Sequence, residues 1–324
     1  MNDSNTGRPE LAYEGIETFL KSEYRSVDQI GDNTDAGVIG VPFDGGVSNK
    51  AGARYGPRGI RRASSWFGYV GQHELMNVDT RQEARLADIE LCDVGDVPTF
   101  PTDIISTSEQ IQKYVRALSH QTFPIILGGD HYLTYPSFVG FASTVDGEVG
   151  LVHLDAHSDT IPETAAHGEH FHGSSMSRLA ESEYFSPNRH AMVGIRGYEA
   201  TGFDDEMKNR GCHVSYRTDI ANKGIVPCVR EAVDHAIKHA DVLYVTVDID
   251  IVDPAFAPGT GTPVPGGLSS TEFLEAMTEL GRYDEVAALD LVEVAPPLDP
   301  TDATANLTAN GIVRFLEKRF LANR

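Results

Sequence analysis

Five stretches of the chain are apolar almost without interruption: residues 36–41, 123–127, 149–154, 242–247 and 286–292. Strands buried on both faces of a parallel sheet read this way. Between them the apolar residues change period. Ile111, Tyr114, Val115 and Leu118 recur at helical spacing, and Ser106 with Glu109 offers a capping box ahead of them. Ser269 with Glu272 offers a second box, leading into Phe273, Leu274 and Met277, and Val229, Ala232, Val233, Ala236 and Ile237 form a third stripe. Residues 1–34 read as an N-terminal arm with a short helix around 16–20. Strand and helix in alternation predict an α/β fold, a three-layer α-β-α sandwich around a mostly parallel sheet. No repeat, low-complexity run or linker divides the chain, so residues 1–324 are expected to form one domain.

Unusual polar residues stand where the apolar runs end. Run 123–127 leads into Gly128-Gly129-Asp130-His131, and run 149–154 into Asp155-Ala156-His157-Ser158-Asp159. Run 242–247 leads into Asp248-Ile249-Asp250, and run 286–292 into Glu293. Open parallel sheets bind ligands beyond the carboxyl ends of their strands, so four motifs are expected to converge on one crevice. Each alone has a plainer reading: Gly-Gly-Asp-His as a capped turn, Asp-Ala-His as a surface loop, Asp-Ile-Asp as a helix cap. Together His131, Asp155, His157, Asp159, Asp248 and Asp250 give two imidazoles and four carboxylates without a thiolate. That set suits manganese-like divalent ions better than a structural zinc. Four clustered carboxylates repel one another unless cations compensate them, and two divalent ions supply four positive charges.

Composition removes other functions. The formal charge of −22 repels nucleic acid. No apolar run approaches the ~18 residues of a membrane span, and the polar first residues show no secretory signal. Cys92, Cys212 and Cys228 are odd in number and widely spaced, which fits reduced thiols in a cytoplasmic protein. No GxSxG, GxGxxG or P-loop occurs, and Gly259-Thr260-Gly261-Thr262 reads as a tight wall of the site.

From about Val38 to Leu316 the chain resembles the ureohydrolases, the arginases and agmatinases. The resemblance rests on Asp248-Ile249-Asp250-Ile251-Val252-Asp253-Pro254 and on Ala257-Pro258-Gly259-Thr260-Gly261-Thr262-Pro263, the latter in agmatinase-like wording. It rests also on the motif at 52–61 and on Glu293 within Asp290-Leu291-Val292-Glu293-Val294. It implies an arginase-like fold, a homo-oligomer (trimer or hexamer) and two divalent ions per chain, Mn²⁺ first and Ni²⁺ as the alternative. By the same resemblance His131, Asp155, Asp159 and Asp248 hold one ion, and Asp155, His157, Asp248 and Asp250 the other. A metal-bridging hydroxide then attacks the guanidinium carbon. Glu293 accepts the guanidinium N–H groups, and His172, in His172-Gly173-Ser174, shuttles a proton.

The implied activity is hydrolysis of a small guanidino compound to an amine and urea, with agmatine the first candidate. Guanidine, a methylated guanidine or biguanide, 4-guanidinobutanoate and 3-guanidinopropanoate remain open, as does a formimino substrate. A non-catalytic metal-binding subunit of a hetero-oligomer is the rival of another class. Segments 160–171 and 294–300 depart from the agmatinase pattern and are expected to border the substrate. Loop 160–171 carries Glu163, His167, Glu169 and His170 but no Lys or Arg, which favours an ammonium tail or no tail. Lys50 and Arg54, in the N-terminal loop, stand as possible counter-charges.

Overall fold

All five apolar runs are strands in the computed structural model, which describes residues 10–70, 75–79 and 81–321. The strands are β1 (Glu23–Tyr24), β2 (Ala36–Gly40), β3 (Leu75–Asn77), β4 (Gln82–Ala84), β5 (Leu91–Asp96), β6 (Phe123–Leu127), β7 (Val149–Leu154), β8 (His190–Ile195), β9 (His213–Tyr216), β10 (Val242–Asp248) and β11 (Val286–Val292). The α-helices are α1 (Gly56–Val70), α2 (Ile104–Ser119), α3 (Thr134–Ala142), α4 (Ser175–Leu179), α5 (Phe203–Arg210), α6 (Arg217–Lys223), α7 (Ile225–Ile237), α8 (Ser270–Leu280) and α9 (Ala303–Leu316). Nine strands form one sheet in the order β1-β5-β2-β6-β11-β10-β7-β8-β9, and every pairing within it is parallel. β3 and β4 make a separate antiparallel hairpin.

Side chains alternate across the sheet and build two cores, which makes the protein a three-layer sandwich. Val38, Ile125, Leu127, Val152, Val245 and Leu289 join the core beneath α7, α8 and α9. Ile39, Ile126, Leu151, Tyr244 and Ala288 join the core beneath α2, α3 and α4. A strand covered on both faces needs apolar residues at odd and even positions alike, hence the unbroken runs. The four central strands β6, β11, β10 and β7 are neighbours, and they are the four whose ends carry the polar motifs.

Some local expectations fail. α2 starts at an Asp103 cap, whose carboxylate takes the Ser106 N–H (2.9 Å) and hydroxyl (2.6 Å). Ser106 therefore lies inside the first turn, and a charged acceptor three residues before it outcompetes it as the cap. The Ser269–Glu272 box does form. In place of a helix at 16–20 there is a single 3₁₀ turn, Phe19–Lys21, held by the Phe19 N–H on Asp93 (2.8 Å). The arm then adds β1 to the sheet edge, and its first nine residues lie outside those described. No helix among the described residues is long and apolar enough to cross a membrane.

Candidate metal centre and cleft

The end of β6 is shaped by close approach. A Cβ on Gly129 would lie 1.7 Å from the Phe43 carbonyl oxygen, so only glycine lets the turn pass beneath that loop. Asp130 caps the next turn by accepting the Tyr132 N–H (3.0 Å) and also takes the Gly46 N–H (2.7 Å), which sets His131 facing inward. Around His131 Nδ1 stand three carboxylate oxygens: Asp155 Oδ2 at 2.9 Å, Asp159 Oδ2 at 3.0 Å and Asp248 Oδ2 at 3.3 Å. Yet Nδ1 is buried and has no partner at hydrogen-bonding geometry. An imidazole lone pair ringed by carboxylates and bonded to none of them fits a divalent cation.

A second donor set adjoins the first. His157 Nδ1 lies 3.0 Å from Asp250 Oδ2 and 3.5 Å from Asp155 Oδ1. Asp155 thus turns one oxygen to each set, the geometry of a bridging ligand. Asp248 turns Oδ2 to the first set while its Oδ1 accepts the Asp250 N–H (2.8 Å). All six expected ligands are brought together, and sequence reasoning missed a seventh neighbour. His153 sits inside β7 with Nε2 2.7 Å from Asp155 Oδ2, orienting that carboxylate from behind. An imidazole within a strand buried on both faces was its signal.

Without cations the charges settle on protons. Burial disfavours the His131 imidazolium, but the three carboxylates outweigh it and hold its pKa well above the usual value. His157 is likewise pushed up to about 12, burial being overcome by Asp250 and Asp155. Burial and like charges raise Asp248 and Asp250, whereas Asp155, surrounded by the imidazoles of His131, His153 and His157, is depressed despite burial.

Glu293 ends β11 with φ at 63° and is fully buried. Its Oε1 accepts the His131 N–H (2.9 Å) and lies 2.8 Å from His172 Nδ1, while Oε2 has no partner. Ser48 holds the other side of the His172 ring, its hydroxyl 2.6 Å from Nε2. Burial lowers the His172 pKa, but the Glu293 bond and charge raise it more, to about 9. Asp130 is raised to about 7 by burial and by Glu293. Ser48 carries no periodicity in the sequence, and only the fold brings it to His172.

Above this floor lies a cleft of about 180 Å³ lined by Ser48, His157, Ser158, Asp159, Ile161, Phe171, His172, Gly173, Tyr198, Glu199, Asp248 and Thr262. Thr262 bears out the expected wall at 259–262. Loop 160–171 contributes only Ile161 and Phe171. Glu163, His167 and Glu169 are exposed and line nothing, because a turn closed by the Thr164–Gly168 bridge carries them outward. Segment 294–300 does not border the cleft either. It packs on the 52–61 motif, with Val294, Ala295, Pro296 and Pro297 close against Gly52, Gly56 and Gly59, whose small size admits them. Besides the expected ligands Asp159 and Asp248, the acidic residue that lines the cleft is Glu199, whose Oε1 takes the Ser158 N–H (3.1 Å). Among the described residues no Lys or Arg lines it; Arg54 is paired with Asp44, and Lys50 is exposed.

Fold and site together define a three-layer α/β protein that gathers a carboxylate–imidazole donor set at the ends of its central strands. The sequence profile of the arginase family matches residues 34–316. A guanidinopropionase of Pseudomonas aeruginosa is 36% identical over 282 residues, 86% of this chain and 85% of that protein. The human mitochondrial guanidino acid hydrolase is 36% identical, over 87% of this chain and 77% of its own length. The solved structure of proclavaminate amidino hydrolase from Streptomyces clavuligerus superposes with a TM-score of 0.82 at 31% identity, covering 96% of this chain and 99% of the other. The chain belongs to the arginase family and is a ureohydrolase-type enzyme acting on C–N bonds of guanidino compounds.

Proposed function

We propose that this enzyme adds water to a guanidino compound whose far end is an ammonium group or is absent, releasing urea and an amine, with agmatine the first candidate. The observation that carries the reading is the cleft lining among the described residues: one carboxylate beyond the candidate metal ligands, Glu199, and no Lys or Arg. A guanidino acid would bring its carboxylate toward Glu199 with nothing to pair it. The two relatives named for guanidino acids, at 36% identity, point the other way, and the lining is what supports an ammonium tail or none.

In this reading His131, Asp155, Asp159 and Asp248 hold one divalent ion, and Asp155, His157, Asp248 and Asp250 hold the other. The bound pair lowers the pKa of water and makes hydroxide available near neutral pH. Glu293 presents its free Oε2 to the guanidinium N–H groups, a charge-assisted match that fixes the plane of the substrate. His172, fixed between Glu293 and Ser48, keeps a proton at neutral pH and delivers it to the departing amine. The oxygen-rich donor set favours Mn²⁺, with Ni²⁺ the alternative wherever geometry permits. All eight expected groups are present, which disfavours a non-catalytic subunit. We read residues 1–324 as one domain of a cytoplasmic homo-oligomer, trimer or hexamer.

The test is urea release from agmatine, guanidine, methylguanidine, a biguanide, 3-guanidinopropanoate and 4-guanidinobutanoate, with Mn²⁺ and then Ni²⁺. The expected result is at least a tenfold advantage in kcat/KM for agmatine or a small guanidine over the acids, about 1.4 kcal/mol. A preference for a guanidino acid overturns the tail assignment, and no urea from any substrate overturns the reaction.

A further inference from the structure

Below the candidate metal site, on the α2–α3 side of the sheet, a carboxylate is sealed into the core. Asp290 lies in the middle of β11, paired in register with Thr246 of β10, and is fully buried. Its Oδ2 accepts the hydroxyls of Tyr244 (2.7 Å) and Thr134 (2.9 Å), and its Oδ1 meets no partner. A buried oxygen left without a partner is destabilising, so a structural role alone does not account for an acid there.

Proton bookkeeping shows what the carboxylate does. A threonine hydroxyl has one proton to give. Thr134 gives its proton to Asp290, so at the 3.1 Å contact between Thr134 and Thr246 it must accept. Thr246 therefore points its proton away from His131, toward Thr134 or toward the carboxylate beside it. At the 2.9 Å contact between Thr246 Oγ1 and His131 Nε2 only the ring nitrogen is left to donate. A neutral His131 is then the Nε2–H tautomer, with its lone pair on Nδ1 among Asp155, Asp159 and Asp248. The direction holds whether or not Asp290 is ionised, because a proton on Oδ1 leaves Oδ2 an acceptor. Reversing the chain would put the proton on Nδ1 and close that position to a cation.

We propose that Asp290 is a positioning residue that acts through Thr134 and Thr246 to fix the tautomer of His131 and thereby sets the affinity of one of the two metal positions. Metal-ligating imidazoles are commonly held by a carboxylate or carbonyl on the far nitrogen; here two hydroxyls carry the same instruction across the width of a strand pair. The inference rests on the metal reading above, and its test uses no substrate.

The experiment is Mn²⁺ titration of the full-length protein against a chelator, for wild type, Thr246→Val, Thr246→Ser, Asp290→Asn and the Thr246→Val/Asp290→Asn double variant. Thr246→Val keeps the shape and removes the hydroxyl. It is expected to weaken one Mn²⁺ per chain by about 10- to 100-fold and to leave the other unchanged. Thr246→Ser keeps the hydroxyl and retains both affinities. The double variant is expected to be no weaker than the worse single one, because both cut the same chain. Two wild-type affinities in Thr246→Val, loss in Thr246→Ser equal to that in Thr246→Val, or losses that simply add would each overturn the relay. If Asp290→Asn fails to fold, the Val and Ser pair decides alone. A wild-type protein that binds no Mn²⁺ overturns the metal reading itself and the relay with it.

Discussion

Replacing Glu293 by Gln keeps the length of the side chain and removes its charge. Oε1 already serves two donors, the His131 N–H at 2.9 Å and the His172 ring at 2.8 Å. The amide oxygen takes that place, which turns the NH₂ to where the unpartnered Oε2 stood. A guanidinium arriving there meets donor against donor. Losing one charge-assisted hydrogen bond is worth about 1.5–3 kcal/mol, about ten- to 150-fold in kcat/KM. A second effect follows from His172. Its pKa of about 9 depends on Glu293, so the variant moves it down toward about 6.5. The acid form then disappears through a lower pH range, and the alkaline limb of the kcat/KM profile shifts to lower pH. Urea release measured from about pH 6 to 10, beside metal analysis of the same samples, separates the two effects. A variant with both ions bound, unchanged kcat/KM and an unmoved alkaline limb would show that the guanidinium sits elsewhere.

Removing the charge of Glu199 tests the tail. At about 4 Å in water one charge contributes about 1 kcal/mol, favourable to an ammonium and unfavourable to a carboxylate, so Glu199→Gln should narrow the agmatine-to-guanidinobutanoate ratio by about five- to thirtyfold at low salt. The effect should shrink at about 0.5 M salt, and a ratio unmoved at low salt refutes the role. Asp250→Asn should leave about one ion per chain by elemental analysis, since Asp250 and His157 complete one donor set; two ions retained would remove Asp250 from that set. Chelation should abolish activity and Mn²⁺ restore it, with metal binding that strengthens as pH rises. His131, His157, Asp248 and Asp250 have raised pKa values without cations, so near neutral pH each ion must displace protons. Calorimetry in two buffers of different ionisation enthalpy reads that release, and its absence contradicts the displacement.

The sequence carried the centre of the sheet because those strands are buried on both faces, and it lost the edges where burial is partial. β1 is exposed at both positions, β9 is half-buried at all but one, and β5 mixes exposed and buried positions and reads Leu-Cys-Asp-Val-Gly-Asp, with no unbroken apolar run. β8 is wholly buried, yet it opens on His190 and includes Gly194, which interrupts the pattern. The six expected ligands were legible because each follows directly on a legible strand. Ser48, Glu199 and the Thr134–Thr246–Asp290 group were not, since their partners are separated from them by 41 to 156 residues and meet only through the strand order. The mistaken weight on Glu163 and Glu169 has the same origin. Proximity along the chain to His172 stood in for proximity to the cleft, and a turn of a few residues sends those carboxylates into solvent.

The backbone bears the cost of this convergence at two of the expected residues. Among the described residues, six that are not glycine have positive φ, and Asp159 (51°) and Glu293 (63°) are two of them. Such a conformation disfavours a side chain with a Cβ, by about 1–2 kcal/mol, and glycine would escape it. Both positions keep a carboxylate instead. At Glu293 the reason can be followed atom by atom. A residue continuing β11 in extended form would alternate to the next face of the sheet. The left-handed step, locked by the Glu293 N–H on the Gly129 carbonyl (2.8 Å), turns the side chain over the β6 turn. There one oxygen secures the backbone of His131 and the ring of His172, and the other is left free. Asp159 makes the corresponding step after β7, and its carboxylate returns to His131. Strain held at two carboxylates beyond the carboxyl ends of parallel strands, Glu293 on the backbone of His131 and Asp159 on its ring, is what a preorganised site requires, and a protein selected for stability alone would have placed glycine at both.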